Sequence, residues 1–250
     1  MVQLRCGRGD SAPRDPRRST RGLDSVAKSS PSKSGVLRAP EFDPAPLDHL
    51  ESGLDTEVRA GERLDSLRFV DVDLSGAPLA GLDLTECEFL GVELDGADLR
   101  GFRAIDSRFE RVNAPVLKVA RSQFREVRIE GSRFGSAEAY DAGWEAVHFI
   151  GCKIGYLNLR SAIITNMAFT DCTIDELDLG GATVSRLAFP GTQVHTLDIT
   201  GARLDNVDLR GLEPRVLNGI ESLAGSVMTE EQFAWIAPLL ATHLGVSLTA

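Results

Sequence analysis

Ala97-Asp98-Leu99-Arg100-Gly101 and Leu177-Asp178-Leu179-Gly180-Gly181 carry the pattern that decides the fold. The third of each five residues is large and apolar, an acid precedes it, and a small or apolar residue stands before that. The same register runs back to Leu64 and on to Leu209. Of its 30 positions, 27 hold Leu, Ile, Val, Phe or Trp, and only Ala104, Ala114 and Ala139 are small. A helix repeats its buried face near every 3.6 residues and a strand every 2. Neither holds a period of five over this length. Short fixed-period self-similarity reads instead as a solenoid, in which each unit buries its apolar residue against its neighbours. In a chain that is 42% apolar, chance does not keep one phase so consistently.

The position two before each centre is also expected to face inward, and it carries its own pattern. From Ala142 small and large residues alternate: Ala142, Val147, Cys152, Leu157, Ala162, Met167, Cys172, Leu177 and onward to Val207. If four units make one square turn, opposite sides carry the same size class, and an oblong core fills without voids. Before residue 112 the phase is reversed, with Val72, Leu82, Val92, Phe102 and Val112 as the large members. The spacing therefore predicts a fault near residues 112–127, beside Ala114 and Pro115, as a bend or a rotation of the cross-section.

These residues resemble the pentapeptide-repeat family, whose unit is roughly A-[DN]-[LF]-x-x. Ala97-Asp98-Leu99 fits fully; Leu197-Asp198-Ile199 and Val207-Asp208-Leu209 fit at the second and third positions, and Ala202-Arg203-Leu204 departs at the second. The resemblance implies a right-handed quadrilateral β-helix, an all-β solenoid with four units per coil and about 7.5 coils over residues 62–211. Some members pair end to end through C-terminal helices, and some mimic duplex DNA and bind type II topoisomerases.

Four segments are expected. Residues 1–40 hold nine Arg and Lys against three Asp, are rich in Ser, Pro and Gly, and read as a disordered basic tail. Residues 41–61 form a lead-in segment and N-terminal cap, where Leu47, Leu50 and Leu54 fit a short helical stripe over the open end. Residues 62–211 are the repeat. Residues 212–250 are a C-terminal α-helical cap: Thr229-Glu230-Glu231-Gln232 has capping-box form, Phe233, Ile236, Ala237, Leu240 and Leu244 follow at helical spacing, and Gly245 suits the stop. Pro238 is expected to kink or split this helix. A solenoid leaves its core open at each end, so the cap's first task is to cover it.

The net charge of −10 divides into +6 over residues 1–40 and −16 over the remainder. Between Arg100 and Arg133, however, nine basic residues meet four acidic ones. Arg108 and Arg128 lie 20 residues apart and should stack on one side; Arg133 and Lys153 should do likewise. Such a band is a poor copy of a phosphate backbone and could itself meet an acidic partner. Arg108, Arg111, Arg128 and Arg133, with Trp235 and Leu239 on the cap, are the candidate interaction residues. His148 and His195 take outward slots on different sides. Cys152 and Cys172, adjacent inward rungs, read as small buried thiols in a reducing, cytoplasmic setting. No phosphate loop, nucleophile elbow or zinc spacing stands in the sequence, and no cofactor is expected.

The reading is a non-enzymatic scaffold whose flat stacked sides meet a macromolecular protein partner, with homodimerisation through the C-terminal helix as a further option. No small-molecule substrate or membrane association is expected, nor direct binding to nucleic acid. The alternative is a DNA mimic that protects or inhibits a type II topoisomerase. A cryptic enzyme would need a concave pocket with convergent polar groups. Phe189→Asp would place a charge in the core, whereas Thr196→Asp would sit on the outside.

Overall fold

The structure, a computed structural model, describes residues 37–53 and 58–247. Residues 1–36 of the basic tail and Leu54 of the lead-in stripe lie outside the described residues. The rest is a parallel stacked-coil β-solenoid closed by one C-terminal helix. Each rung pairs in parallel with the residue 20 further on: Ile164 with Val184, Leu177 with Leu197, Phe149 with Phe169. The five-residue register is thus four sides of one coil.

Two observations explain the repeat chemically. The central residues point inward and stack, and most of them are buried. On one side they form aromatic ladders, Phe69–Phe89–Phe109 and Phe149–Phe169–Phe189, with centroid spacings of 4.7, 5.3, 4.9 and 5.6 Å. The acid before the centre has a turn-forming task. Its carboxylate accepts the backbone N–H two residues on, at Asp73 (2.9 Å), Asp98 (3.2 Å), Asp178 (2.8 Å), Asp198 (2.8 Å) and Asp208 (3.0 Å). This is an Asx turn, and it satisfies a corner amide that the ladder leaves unpaired. The Arg100 and Arg210 guanidiniums beside Asp98 and Asp208 hold those carboxyls below the usual range, Asp98 at about 2. A depressed folded pKa stabilises the fold above the unfolded pKa, and the gain disappears as pH falls through the folded value. Melting temperature should therefore fall below about pH 4. Asp98→Asn with Asp208→Asn, which keeps the N–H acceptors, should flatten that dependence.

The companion column explains why its small members are so often Ser, Cys or Thr. Backbone N–H groups of Val112, Cys152 and Cys172 donate to Ser132 Oγ (3.0 Å), Cys172 Sγ (3.4 Å) and Thr192 Oγ1 (3.0 Å) of the next rung. A buried ladder of small polar side chains replaces the missing backbone bonds. Cys152 and Cys172 are thus rungs of one column, as the spacing implied; the neighbouring Cys172 thiol, and then burial, push the Cys152 thiol upward. Trp144 inserts its indole into the core, and Nε1–H donates to Ser122 Oγ at 3.0 Å. Ser122→Ala leaves that donor orphaned and is expected to cost about 1–3 kcal/mol. Denaturant midpoints read by tryptophan emission check this.

The fault is a change of corner. Gly76 and Gly96 take left-handed φ values of 66° and 69° at one corner. One rung later Asn113–Lys118 runs through that corner as an unbroken strand, and the pattern persists in Arg133–Glu138 and Lys153–Asn158. The large companion residues change sides at the same height, from Phe102 and Val112 to Val127, Val147 and Leu157. An apolar cavity of about 50 Å³ marks the exchange, lined by Phe102, Phe109, Phe124, Phe134 and Trp144 among others.

The coil outruns the repeat at both ends. One stack holds ten strands, from Glu51–Ser52 to Ser226–Val227, which makes about nine turns rather than 7.5. The first rung pairs Ser52 with Arg68. The last pairs Val207 with Ser226, nineteen residues on rather than twenty. Among its described residues the lead-in segment holds no helix, and residues 38–49 run along the outside of the coils. A segment with Pro40, Pro44 and Pro46 cannot hold a helical ladder.

The C-terminal helix, Glu230–His243, starts on the capping box: Gln232 N–H donates to Thr229 Oγ1 (3.1 Å) and Thr229 N–H to Gln232 Oε1 (2.8 Å). Gln232 Nε2 also donates to the Leu209 and Leu212 carbonyls at 2.7 Å each, which ties the helix to the last coil. Ile236 is its one buried residue. The helix runs unbroken through Pro238, so the expected split does not occur.

Candidate functional site

The arginine band is a paired network. On the aromatic-ladder side the outward rungs are Arg68, Glu88, Arg108 and Arg128, with Glu110 and Glu130 two residues beyond their rungs. Arg108 reaches Glu110 at 2.6 Å, Glu130 at 3.1 Å and Glu88 at 3.5 Å. Arg128 meets Glu130 at 2.5 Å, Arg68 pairs with Glu88, and Arg111 pairs with Glu110. Glu88 is 5% exposed, so two arginines compensate a nearly buried carboxylate. Arg108 and Arg128 are direct register partners, as their spacing required. Arg133 lies around the corner between Asn113 and Lys153, outside this network. Trp235 and Leu239 stand apart, on the C-terminal helix.

Sequence reasoning missed two things here. Glu88 lies outside the arginine-rich window, yet it precedes Arg108 by one coil. The second is a strap. Residues 38–49 run along the corner between the ladder side and its predecessor, counter to the growth of the coils. Arg38 N–H donates to Asn206 Oδ1 (3.0 Å), Glu41 N–H to Asn166 Oδ1 (3.1 Å) and Asp43 N–H to Glu126 Oε2 (3.0 Å). Phe42 stacks on His148 with centroids 4.6 Å apart. His49 Nε2 donates to Glu86 Oε2 at 2.7 Å. Burial, and then the Arg128 charge, lower the pKa of His148, which favours the neutral ring that lies against Phe42. Between strap and coils lies a cleft of about 390 Å³, walled by Pro44, Leu47, Asp48, Arg68, Asp106 and Arg108 among others.

The cap end has a different character. Phe233, Trp235, Leu239, Leu244 and Val246 are 43–73% exposed. Trp235 also walls a cleft of about 520 Å³ against Glu213–Arg215. His195 is an outward residue on its own side, paired with Asp175 at 3.1 Å. Among the described residues, no helix is long and apolar enough to cross a membrane.

Residues 68–103 match the sequence model of the family described as pentapeptide repeats, in eight copies. No curated protein matches the chain. Among solved structures, full-length QnrB1, a plasmid-mediated fluoroquinolone resistance protein, is 19% identical over 78% of this chain and 95% of its own, with a TM-score of 0.35. HetL, a pentapeptide repeat protein involved in heterocyst differentiation regulation in the cyanobacterium Nostoc sp. strain PCC 7120, is 14% identical over 67% of this chain and 90% of its own, with a TM-score of 0.21. Residues 68–103 are thus pentapeptide repeats, and the same four-sided coil continues from there to Leu209.

Proposed function

We propose that the protein is a non-enzymatic scaffold of the cytoplasm that binds a protein partner through its flat sides and pairs with a second copy through the C-terminal helix. The observation that carries the reading is the unequal use of that helix. Ile236 alone is buried, while Phe233, Trp235 and Leu239 are 53%, 51% and 43% exposed. Trp235 and Leu239, one helical turn apart, share a face of the helix; large apolar side chains left side by side in water mark an interaction surface, and each offers about 1.5–3 kcal/mol on burial. The buried free thiols of Cys87, Cys152 and Cys172 support a reducing compartment. Light scattering tests the pairing: the chain should run at twice its 27.0 kDa. Trp235→Glu with Leu239→Glu should halve that mass while the far-UV circular dichroism stays that of the folded chain. A single-chain mass for the unmodified protein at tens of micromolar, on the order of 10-fold above a typical weak-dimer Kd, sinks the pairing.

A second reading, a DNA mimic that binds a type II topoisomerase, is favoured by the network itself. Arg108, Arg111 and Arg128 spend their charge on Glu88, Glu110 and Glu130, so the band interrupts the acidic surface less than its sequence suggests. A gyrase supercoiling assay decides it: the absence of both inhibition and drug protection at micromolar protein counts against the mimic.

A further inference from the structure

The corner that bears the strap differs from the other left-handed corners. Its positive-φ residues are Ser66, Glu86, Asp106, Glu126, Ala146, Asn166, Arg186 and Asn206, with no glycine in the eight rungs. The corner one unit further on has glycine at 91, 131, 151, 191 and 211. A non-glycine residue in this conformation costs roughly 1–2 kcal/mol. Asn and Asp tolerate it, but Glu has no such excuse, and Glu86 and Glu126 sit at φ 49° and 51°. What these side chains do is hold the strap. Asn206, Asn166, Glu126 and Glu86 each accept from it, every second rung.

The spacing fits an extended chain. Two rungs advance about 10 Å, and three extended residues cover about the same. Arg38 and Glu41 are three residues apart and bond to acceptors two rungs apart. From Glu41 to Asp43 the step is one residue shorter, and there the acceptor is the longer Glu126. Over these three contacts the track reads backbone N–H groups, which any non-proline peptide has; it adds an aromatic site over His148 and, six residues beyond Asp43, takes the His49 side chain on Glu86. The strap itself is lightly held. No strap residue from 37 to 52 is buried. Its Glu41, Asp43 and Asp48 outnumber Arg38, and they lie on a body that is itself acidic. Segments with few apolar contacts open at low free energy while the coils stay closed.

We propose that this corner is a peptide-binding track, that residues 38–49 are its resident ligand, and that a protein partner docks by displacing them with an extended segment carrying an aromatic residue. This rests on the scaffold reading and gives it a site. It is independent of the helix pairing, so a failure here leaves the light-scattering result standing.

The test uses the full chain. Glu41→Pro with Asp43→Pro removes two strap donors, in a segment that already carries Pro40, Pro44 and Pro46, and leaves the track intact. The probe is a fluorescein-labelled peptide of residues 37–50 added in trans. Fluorescence anisotropy should show at least tenfold tighter binding to the double-proline chain than to the unmodified chain. Adding Asn166→Gly, Asn206→Gly and Glu126→Gly should abolish that binding without lowering the melting temperature, because glycine suits the left-handed corner. Amide exchange at residues 38–43 reports strap release in each variant. Equal binding to both chains, no binding to the double-proline chain, or a strap that stays protected in it would each overturn the proposal. A melting temperature that falls with the glycines would as well, since the corner side chains would then serve the coils.

Discussion

Phe169→Ala is expected to lower stability by about 3–5 kcal/mol, a large share of the roughly 5–15 kcal/mol that holds a domain together. Phe169 is fully enclosed, with Phe149 stacked at 4.9 Å on one side and Phe189 at 5.6 Å on the other. A solenoid core has no depth in which to redistribute a void, because each rung touches only its two neighbours. The cavity therefore persists, and the Phe149–Phe169–Phe189 ladder loses both of its stacking contacts. Phe189→Asp, at a 4% exposed rung, should be harsher still, since a carboxylate there has no partner. Thr196→Asp on an outward slot is the control and should shift the urea midpoint little.

Gly225→Val should detach the end of the molecule. The last coil is one residue short, and the chain makes up the difference with Gly225 at φ 89° packed against the preceding rung. A Cβ there would overlap the Leu204 carbonyl oxygen. Overlap with backbone has no flexible side chain to relieve it, and positive φ adds strain for any β-branched residue. The expected cost is about 3 kcal/mol or more, of the kind seen for overpacked sites. It should fall on Ser226–Val227 and the helix behind them. Amide exchange should accelerate over residues 216–243 while the rungs from Arg103 to Asp198 keep their protection. Uniform destabilisation of all coils would contradict this.

Much of the fold was legible because a five-residue register fixes neighbours as well as burial. It placed Arg108 beside Arg128, Cys152 beside Cys172, and a fault beside Pro115. It failed where apolar periodicity is not what holds the chain. Pro214 stands where the next central residue would be, so the repeat ends on paper at Gly211, yet Leu212 and Leu217 continue the core. The strap has no period at all. It is held by backbone donors, and these leave no mark in its own sequence. The mark is on the receiving side, in eight left-handed corner positions without glycine. The network around Arg108 was half visible: the arginines clustered in sequence, whereas Glu88 belongs to them only through the coil. Pro238 misled because a single proline in an exposed helix with a strong N-terminal cap does not end it.

Every placement above depends on residues twenty apart being neighbours. Arg133 and Lys153 are exposed register partners in adjacent rungs. Their Cα atoms are about 4.8 Å apart by strand spacing, within the range a disulfide spans. Arg133→Cys with Lys153→Cys should therefore cross-link on mild oxidation, as read by peptide mass mapping. Gln123→Cys with Arg133→Cys, closer in sequence but on opposite sides of the coil, should stay reduced. Cross-linking of the second pair and not the first would contradict the twenty-residue coil, and with it the strap, the network and the ladders.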